Sequence, residues 1–251
     1  MNQTPPADHF QGKSVVEHLR HARAKGATAS AEIHGTEISG LLGAGADACR
    51  DSAVALVVLW AVLIQMPLTS DLTFLILFFF SMGWLVWKIG RSALLGWSRL
   101  ERLHRVIEEE RWEIEHHREQ ERSELTELYR AKGFSGKLLD EVVDVLMADD
   151  NRLLRVMLEE ELGLTLQAYE HPLKQAYGAG VGALLALLPC LIALYFFPAY
   201  GLVPIALLLM IGASAFAAKQ NRNQVLPALM WNFALMLFVY GATTFLFKWI
   251  K

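Results

Sequence analysis

The residues with chemistry to offer lie between Glu108 and Glu127, in the stretch E-E-E-R-W-E-I-E-H-H-R-E-Q-E-R-S-E-L-T-E. Read as a helix at about 100° per residue with Glu110 at zero, Glu113, His117, Glu121 and Glu124 fall at roughly 300°, 340°, 20° and 320°. Four carboxylates and one imidazole thus share a stripe. Leu103, Ile107, Ile114, Leu125 and Leu128 fall on the edge of the same stripe, so the acids overlap the apolar face that should meet a partner. Like charges at neighbouring helical positions repel by about 0.2–0.5 kcal/mol per pair. Placing them on a packing face adds a desolvation cost. A divalent cation offsets both terms, because hard and borderline cations take several carboxylate oxygens. Two readings follow. The stripe is either a solvated charged helix or half of a metal site. Arg111, Arg118 and Arg122 lie on another flank, where the spacing pairs them with Glu115 and Glu119 in solvent.

The elements that must position this stripe are unusually apolar. Of the 251 residues, 54% are hydrophobic, more than a soluble domain of this size carries. The net charge of −3 leaves no nucleic-acid footprint. The two cysteines, Cys49 and Cys190, have neither zinc-ligand spacing nor the density of a disulfide framework. The polar N-terminus lacks the basic region, apolar core and small-residue cleavage site of a signal peptide. No nucleophile–base pairing, phosphate loop or H-E-x-x-H points to an enzyme.

Five apolar stretches, at about 52–68, 72–90, 178–198, 202–218 and 228–248, have lengths near the roughly 17–25 residues a membrane span needs. The breaks at Met66–Asp71 and Pro198–Gly201 contain no Lys or Arg, whereas 91–177 is rich in both and 219–226 carries Lys219 and Arg222. The positive-inside rule then places the N-terminus, the middle region and the 219–226 link in the cytosol. A five-span count puts the C-terminus outside, despite Lys248 and Lys251. Short outer hairpins and the lack of a cleavable signal suit a bacterial inner membrane.

Outside the spans, residues 1–12 read as disordered. Ser14–Lys25 reads as a short amphipathic helix capped by Gly26, with His18 and His21 as surface residues rather than ligands. The Gly, Ala and Ser-rich 26–50, with Glu32, His34, Glu37 and Asp47, is consistent with a lead-in helix. The middle region reads as three helices. The first continues out of the second span over about 92–131 and is broken by Gly133-Phe134-Ser135-Gly136, with Ser135 as a cap. Leu138–Met147 is the second, and Arg152–Leu162, started by Asp149-Asp150-Asn151 and ended by Gly163, is the third. On that last helix Met157 and Glu161, at i and i+4, share a face. Core packing alone would also account for Met157.

Across about 108–164 the chain resembles the vacuolar iron transporter family. The residues that carry the likeness are Glu110-Arg-Trp-Glu113, Glu121-Arg-Ser-Glu124, Glu124-Leu-Thr-Glu-Leu-Tyr129-Arg-Ala-Lys-Gly133-Phe, Leu146-Met-Ala-Asp149 and Val156-Met157-Leu-Glu-Glu-Glu161-Leu-Gly-Leu164. The resemblance implies an all-α membrane protein with five transmembrane helices and a cytosolic three-helix metal-binding domain between spans 2 and 3. The corresponding division is 1–50 as a cytosolic N-terminal segment, 51–96 as spans 1 and 2, 97–172 as the metal-binding domain and 173–251 as spans 3 to 5. It further implies that Glu110, Glu113, Glu121, Glu124, Met157 and Glu161 ligate the metal; His117, on the same stripe, reads as a group behind the ligands. The protein would be a homodimer moving ferrous iron or manganese out of the cytosol in exchange for protons, with the metal as substrate and no cofactor.

In the membrane half the family's acid near the start of the first span corresponds to Asp51, or alternatively Asp47. An ionisable residue within a span is a functional candidate because its burial is costly. At the interface, Asp51 would instead serve a helix N-terminus. In the second span Ser81-Met82-Gly83 matches the family and adds Met82 to the pathway, but Trp84-Leu85-Val86-Trp87 follows where the family carries Gly-Glu. Lys88 and Arg91, next in line, are expected to snorkel to the cytosolic face. Ala186-Leu-Leu-Pro189 resembles the Pro-containing part of the third span. The missing acid opens a second reading, a membrane-anchored metal-binding or sensing protein without transport. A third is a membrane scaffold that uses the charged helix as an interface.

Overall fold

A computed structural model describes residues 14–30, 40–164 and 171–250. Among these the secondary structure is entirely helical: α1 Val15–Ser30, α2 Leu41–Leu63, α3 Ser70–His116, α4 Arg118–Ala131, α5 Gly136–Met147, α6 Asp150–Glu160, α7 Pro172–Phe196, α8 Leu202–Gln220 and α9 Val225–Ile250. The 1–12 segment, and the part of 26–50 that carries Glu32, His34 and Glu37, lie outside the described residues. The chain divides into two compact units, one joining α1 to the helices of 98–169 and the other comprising 34–97 and 170–251. Within the N-terminal 50 residues, α1 groups with the charged helices and the start of α2 with the apolar ones.

Four helices, α3, α7, α8 and α9, are long and apolar enough to cross a membrane. The fold is that of an all-α membrane protein. The first expected span differs in register. Only 52–63 of the stretch 52–68 is helical, in a helix that starts at Leu41 and stops at Leu63, where Ile64 caps it. Its first half carries Asp47, Arg50 and Asp51. Small residues explain why α2 begins so early. Helices in a bilayer associate through close backbone approach rather than a hydrophobic driving force, and α2 meets α7 in this way. A Cβ on Gly178 would lie 2.0 Å from the Leu41 carbonyl oxygen, and one on Gly182 would lie 1.9 Å from that of Gly45. Ala44, Ala48, Ala53, Ala179, Ala183 and Ala186 fill the same core with no exposure.

The polar side chains of this unit bind one another. Lys88 of α3 reaches a carboxylate of α2. It is 6% exposed, and its Nζ sits 2.9 Å from Asp51 Oδ2. Asp47, buried, pairs with Arg50 one turn on. Trp84 Nε1 donates to Ser52 Oγ at 3.0 Å, tying α3 to α2. Ser81 returns its hydroxyl to the Leu77 carbonyl at 2.7 Å, while Met82 is exposed.

In the other unit, α1 runs through Gly26 to Ser30 rather than stopping at Lys25. The helix expected over 92–131 is interrupted at His117, whose φ of −127° and ψ of 36° leave the helical region. No Pro or Gly marks this break. Trp112 stacks on His116 with ring centroids 4.3 Å apart and meets His117 edge-on at 5.3 Å. Two of the three arginines expected to pair along one helix reach across instead. Arg118 binds Asp150 at 2.6 Å and Arg122 binds Asp144 at 2.5 Å, joining α4 to α6 and α5. Arg111 pairs with Glu108 at 3.0 Å. Ser135 occupies the N-cap of α5 but makes no side-chain cap hydrogen bond, whereas Asp149 caps α6 by accepting from Arg152 N at 2.8 Å. Leu103, Ile114, Leu125, Leu139, Val143, Leu153 and Leu158 form the core of this unit together with Leu19 and Ala22 of α1.

Candidate metal centre

The break at His117 changes how the acids meet. Glu110 and Glu113 come from the end of α3, and Glu121 and Glu124 from α4 after the chain has turned. Glu161 comes from the C-cap of α6, where its N–H donates to the Met157 carbonyl at 2.9 Å. Gly163 then adopts a φ of +65°, a left-handed conformation that glycine takes without a Cβ penalty. The reversal lets Leu164 N bond back to the Leu158 carbonyl at 2.8 Å.

Four of these carboxylates are in the interior. Glu110 is 3% exposed, Glu121 1%, Glu124 0% and Glu161 2%. Met157 is fully buried in the same core, and Glu113 is half-buried. Oxygen atoms of Glu110, Glu121 and Glu161 all lie within 4.8 Å of one another. Ionising a cluster of buried acids is costly, so burial and mutual repulsion favour the protonated forms. Burial first, then the neighbouring acids, push Glu110 and Glu161 well above the ordinary carboxylate range. The same causes raise Glu121 to about 11. Burial also raises Glu124, to about 8, against a hydrogen bond from Glu161 that favours its charged form. Glu113 adds to the repulsion at all four. Glu110 Oε1 is buried and has no hydrogen-bond partner among the described residues.

Two residues outside the expected set join the cluster from α1. His18 Nε2 lies 3.6 Å from Glu161 Oε1 and 3.8 Å from Glu124 Oε1, and the three form a second group of ligand atoms within 4.8 Å. The expectation of a surface His18 is thus corrected, while His21 is exposed. Lys25 binds Glu109 at 2.6 Å. Burial lowers its pKa, but the Glu109 hydrogen bond and the charges of Glu109, Glu113 and Glu110 raise it on balance. A signal was available: His18, Ala22 and Lys25, at i, i+4 and i+7, share one face of α1 with Leu19. His117 stands at the helix break against Trp112 and belongs to neither oxygen group.

One unit carries apolar helices long enough to cross a membrane, and the other a cluster of buried carboxylates that could hold a cation. The VIT family model matches residues 96–248. The chain belongs to that family, the vacuolar iron transporters, whose members are membrane metal-ion transporters rather than enzymes. The match starts after α1, α2 and most of α3. No curated protein matches the chain.

Proposed function

We propose that the protein exports a divalent metal, Fe²⁺ or Mn²⁺, from the cytosol in exchange for protons, and that the buried glutamate cluster captures the ion first. The observation that carries this reading is the convergence of Glu110, Glu121 and Glu161 on one small volume in the interior. Carboxylates held protonated by burial release protons when a cation takes their place. The cluster therefore exchanges protons for metal by its own chemistry. Glu113, Glu124 and Met157 complete the ligand set. The thioether adds a borderline-soft donor to a hard oxygen set, as ferrous iron tolerates.

In this reading α2 is the first of five spans, and the helical unit and N-terminus are cytosolic. Residues 52–63 alone would cover only about 18 Å at 1.5 Å per residue, short of a hydrocarbon core of roughly 30 Å. The N-terminal half of α2 must therefore enter the bilayer, and the Asp47–Arg50 and Asp51–Lys88 pairs are what make that entry tolerable. Asp51 and Met82 line the pathway. The chain works as a homodimer in a bacterial inner membrane. The test of metal capture is equilibrium dialysis of the full chain in detergent against Mn²⁺. Saturable binding that Glu161→Ala weakens supports it, and equal binding by Glu161→Ala contradicts the ligand assignment.

The buried Lys88 favours one second reading. A cation beside Asp51 repels a metal ion, so a protein that binds metal and does not pass it also fits that observation. Transport measurements separate the two.

A further inference from the structure

We propose that α1 supplies a nitrogen ligand to the metal centre, His18, and that this ligand biases the site toward the later first-row divalent ions over manganese. The inference rests on the capture reading above and adds a residue from outside the part of the chain that matches the family.

Geometry carries it. The distances from His18 Nε2 to the Glu161 and Glu124 oxygens, 3.6 and 3.8 Å, are longer than a hydrogen bond. Two ligand atoms about 2.0–2.2 Å from one cation and roughly 110–120° apart lie some 3.3–3.8 Å from each other. The imidazole thus stands at ion-pair distance from both acids, at the spacing that ligands of a shared cation keep. It is also fixed in place. Leu19 and Ala22 on the same helix are buried in the core of the unit. Lys25 is held by Glu109, and Arg23 donates to the Glu160 carbonyl at 3.5 Å. Glu161 belongs to both oxygen groups, so the His18 position is continuous with the Glu110 and Glu121 position. The unpartnered, buried Glu110 Oε1 independently marks that shared volume as short of a donor or a cation.

Imidazole suits iron, zinc, nickel and copper, whereas an all-carboxylate site suits magnesium, calcium and manganese. With His18 in place the site keeps its oxygens for Mn²⁺ and gains on Co²⁺ and Fe²⁺.

The test uses the full chain in detergent, loaded with Mn²⁺, and reads directly bound ¹⁴N by pulsed electron paramagnetic resonance. Wild type and His21→Ala are expected to show imidazole nitrogen modulation, and His18→Ala to lose it while still binding Mn²⁺. In parallel, His18→Ala is expected to weaken Co²⁺ binding by about tenfold or more and Mn²⁺ binding by less. A matching melting temperature for His18→Gln rules out misfolding as the cause. Mn²⁺ bound without nitrogen modulation, or modulation that survives in His18→Ala, overturns the proposal and leaves the carboxylate site standing. Failure of wild type to bind any of these ions overturns both.

Discussion

Glu124 and Glu161 meet in the interior of the helical unit, their Oε1 atoms 3.8 and 3.6 Å from His18 Nε2, and burial raises both carboxyls above the ordinary carboxylate range. With Glu121 raised to about 11 and Glu124 to about 8, the metal-free cluster is largely protonated at neutral pH. Metal binding at pH 7 is expected to release protons. Calorimetric titrations of Mn²⁺ in buffers of different ionisation enthalpy count them, and an enthalpy independent of buffer would contradict the arrangement.

The same shifts set the pH dependence of stability. A carboxyl whose folded pKa is raised binds its proton more tightly in the folded state. Its stabilisation is complete below the unfolded value near 4.5 and is lost as pH rises through the folded value. For Glu124 that loss runs from about pH 4.5 to about 8. The metal-free protein should melt at progressively lower temperature from pH 5 to pH 8, and saturating Mn²⁺ should flatten the trend. A melting temperature that rises over this range would show that the acids are not buried as described.

Ligand substitutions should be graded. Glu161 belongs to both oxygen groups and Glu113 to neither. Glu161→Ala is expected to cost the most Mn²⁺ affinity, and Glu121→Ala and Glu113→Ala roughly 10–100-fold or less, in that order. Met157→Leu conserves volume and should change stability by less than about 1.5 kcal/mol, so any larger loss of metal affinity reports the sulfur. Equal effects from Glu113 and Glu161 would contradict the geometry.

How much of this was legible in the sequence differs between the two units. Long apolar stretches announced α3, α7, α8 and α9, because a span must be both long and apolar. The acids of the middle region were legible as a group on a packing face. Their true arrangement was not. A wheel drawn through 108–127 assumes one straight helix, and nothing in Glu115-His116-His117-Arg118 signals a stop. The break there rests on Trp112 packing against both histidines. His18 was out of reach for a different reason: its partners are more than a hundred residues away, so local pattern could place it on a helix face but not name what that face meets. The start of α2 was hidden because its glycines disfavour helix and its small residues give no apolar periodicity, yet small residues are what a close helix crossing requires.

That crossing is itself testable. Gly182→Ala puts a methyl group 1.9 Å from the Gly45 oxygen, while Gly83 and Gly212 have nothing within 4 Å of an added Cβ. Gly182→Ala should destabilise the detergent-solubilised protein by about 2 kcal/mol or more, and Gly83→Ala and Gly212→Ala should not lower its melting temperature. Tolerance of Gly182→Ala would mean that α2 and α7 do not approach as described.

The central claim is that metal crosses the membrane. The direct measurement is uptake of Fe²⁺ and Mn²⁺, separately, into sealed proteoliposomes under an imposed pH gradient, with Asp51→Ala in parallel. The account predicts saturable uptake that collapses with the gradient and is abolished by Asp51→Ala, although that variant still binds metal. Tight binding with no gradient-dependent uptake would contradict transport and leave a metal-binding membrane protein whose pathway is closed by the Lys88–Asp51 pair.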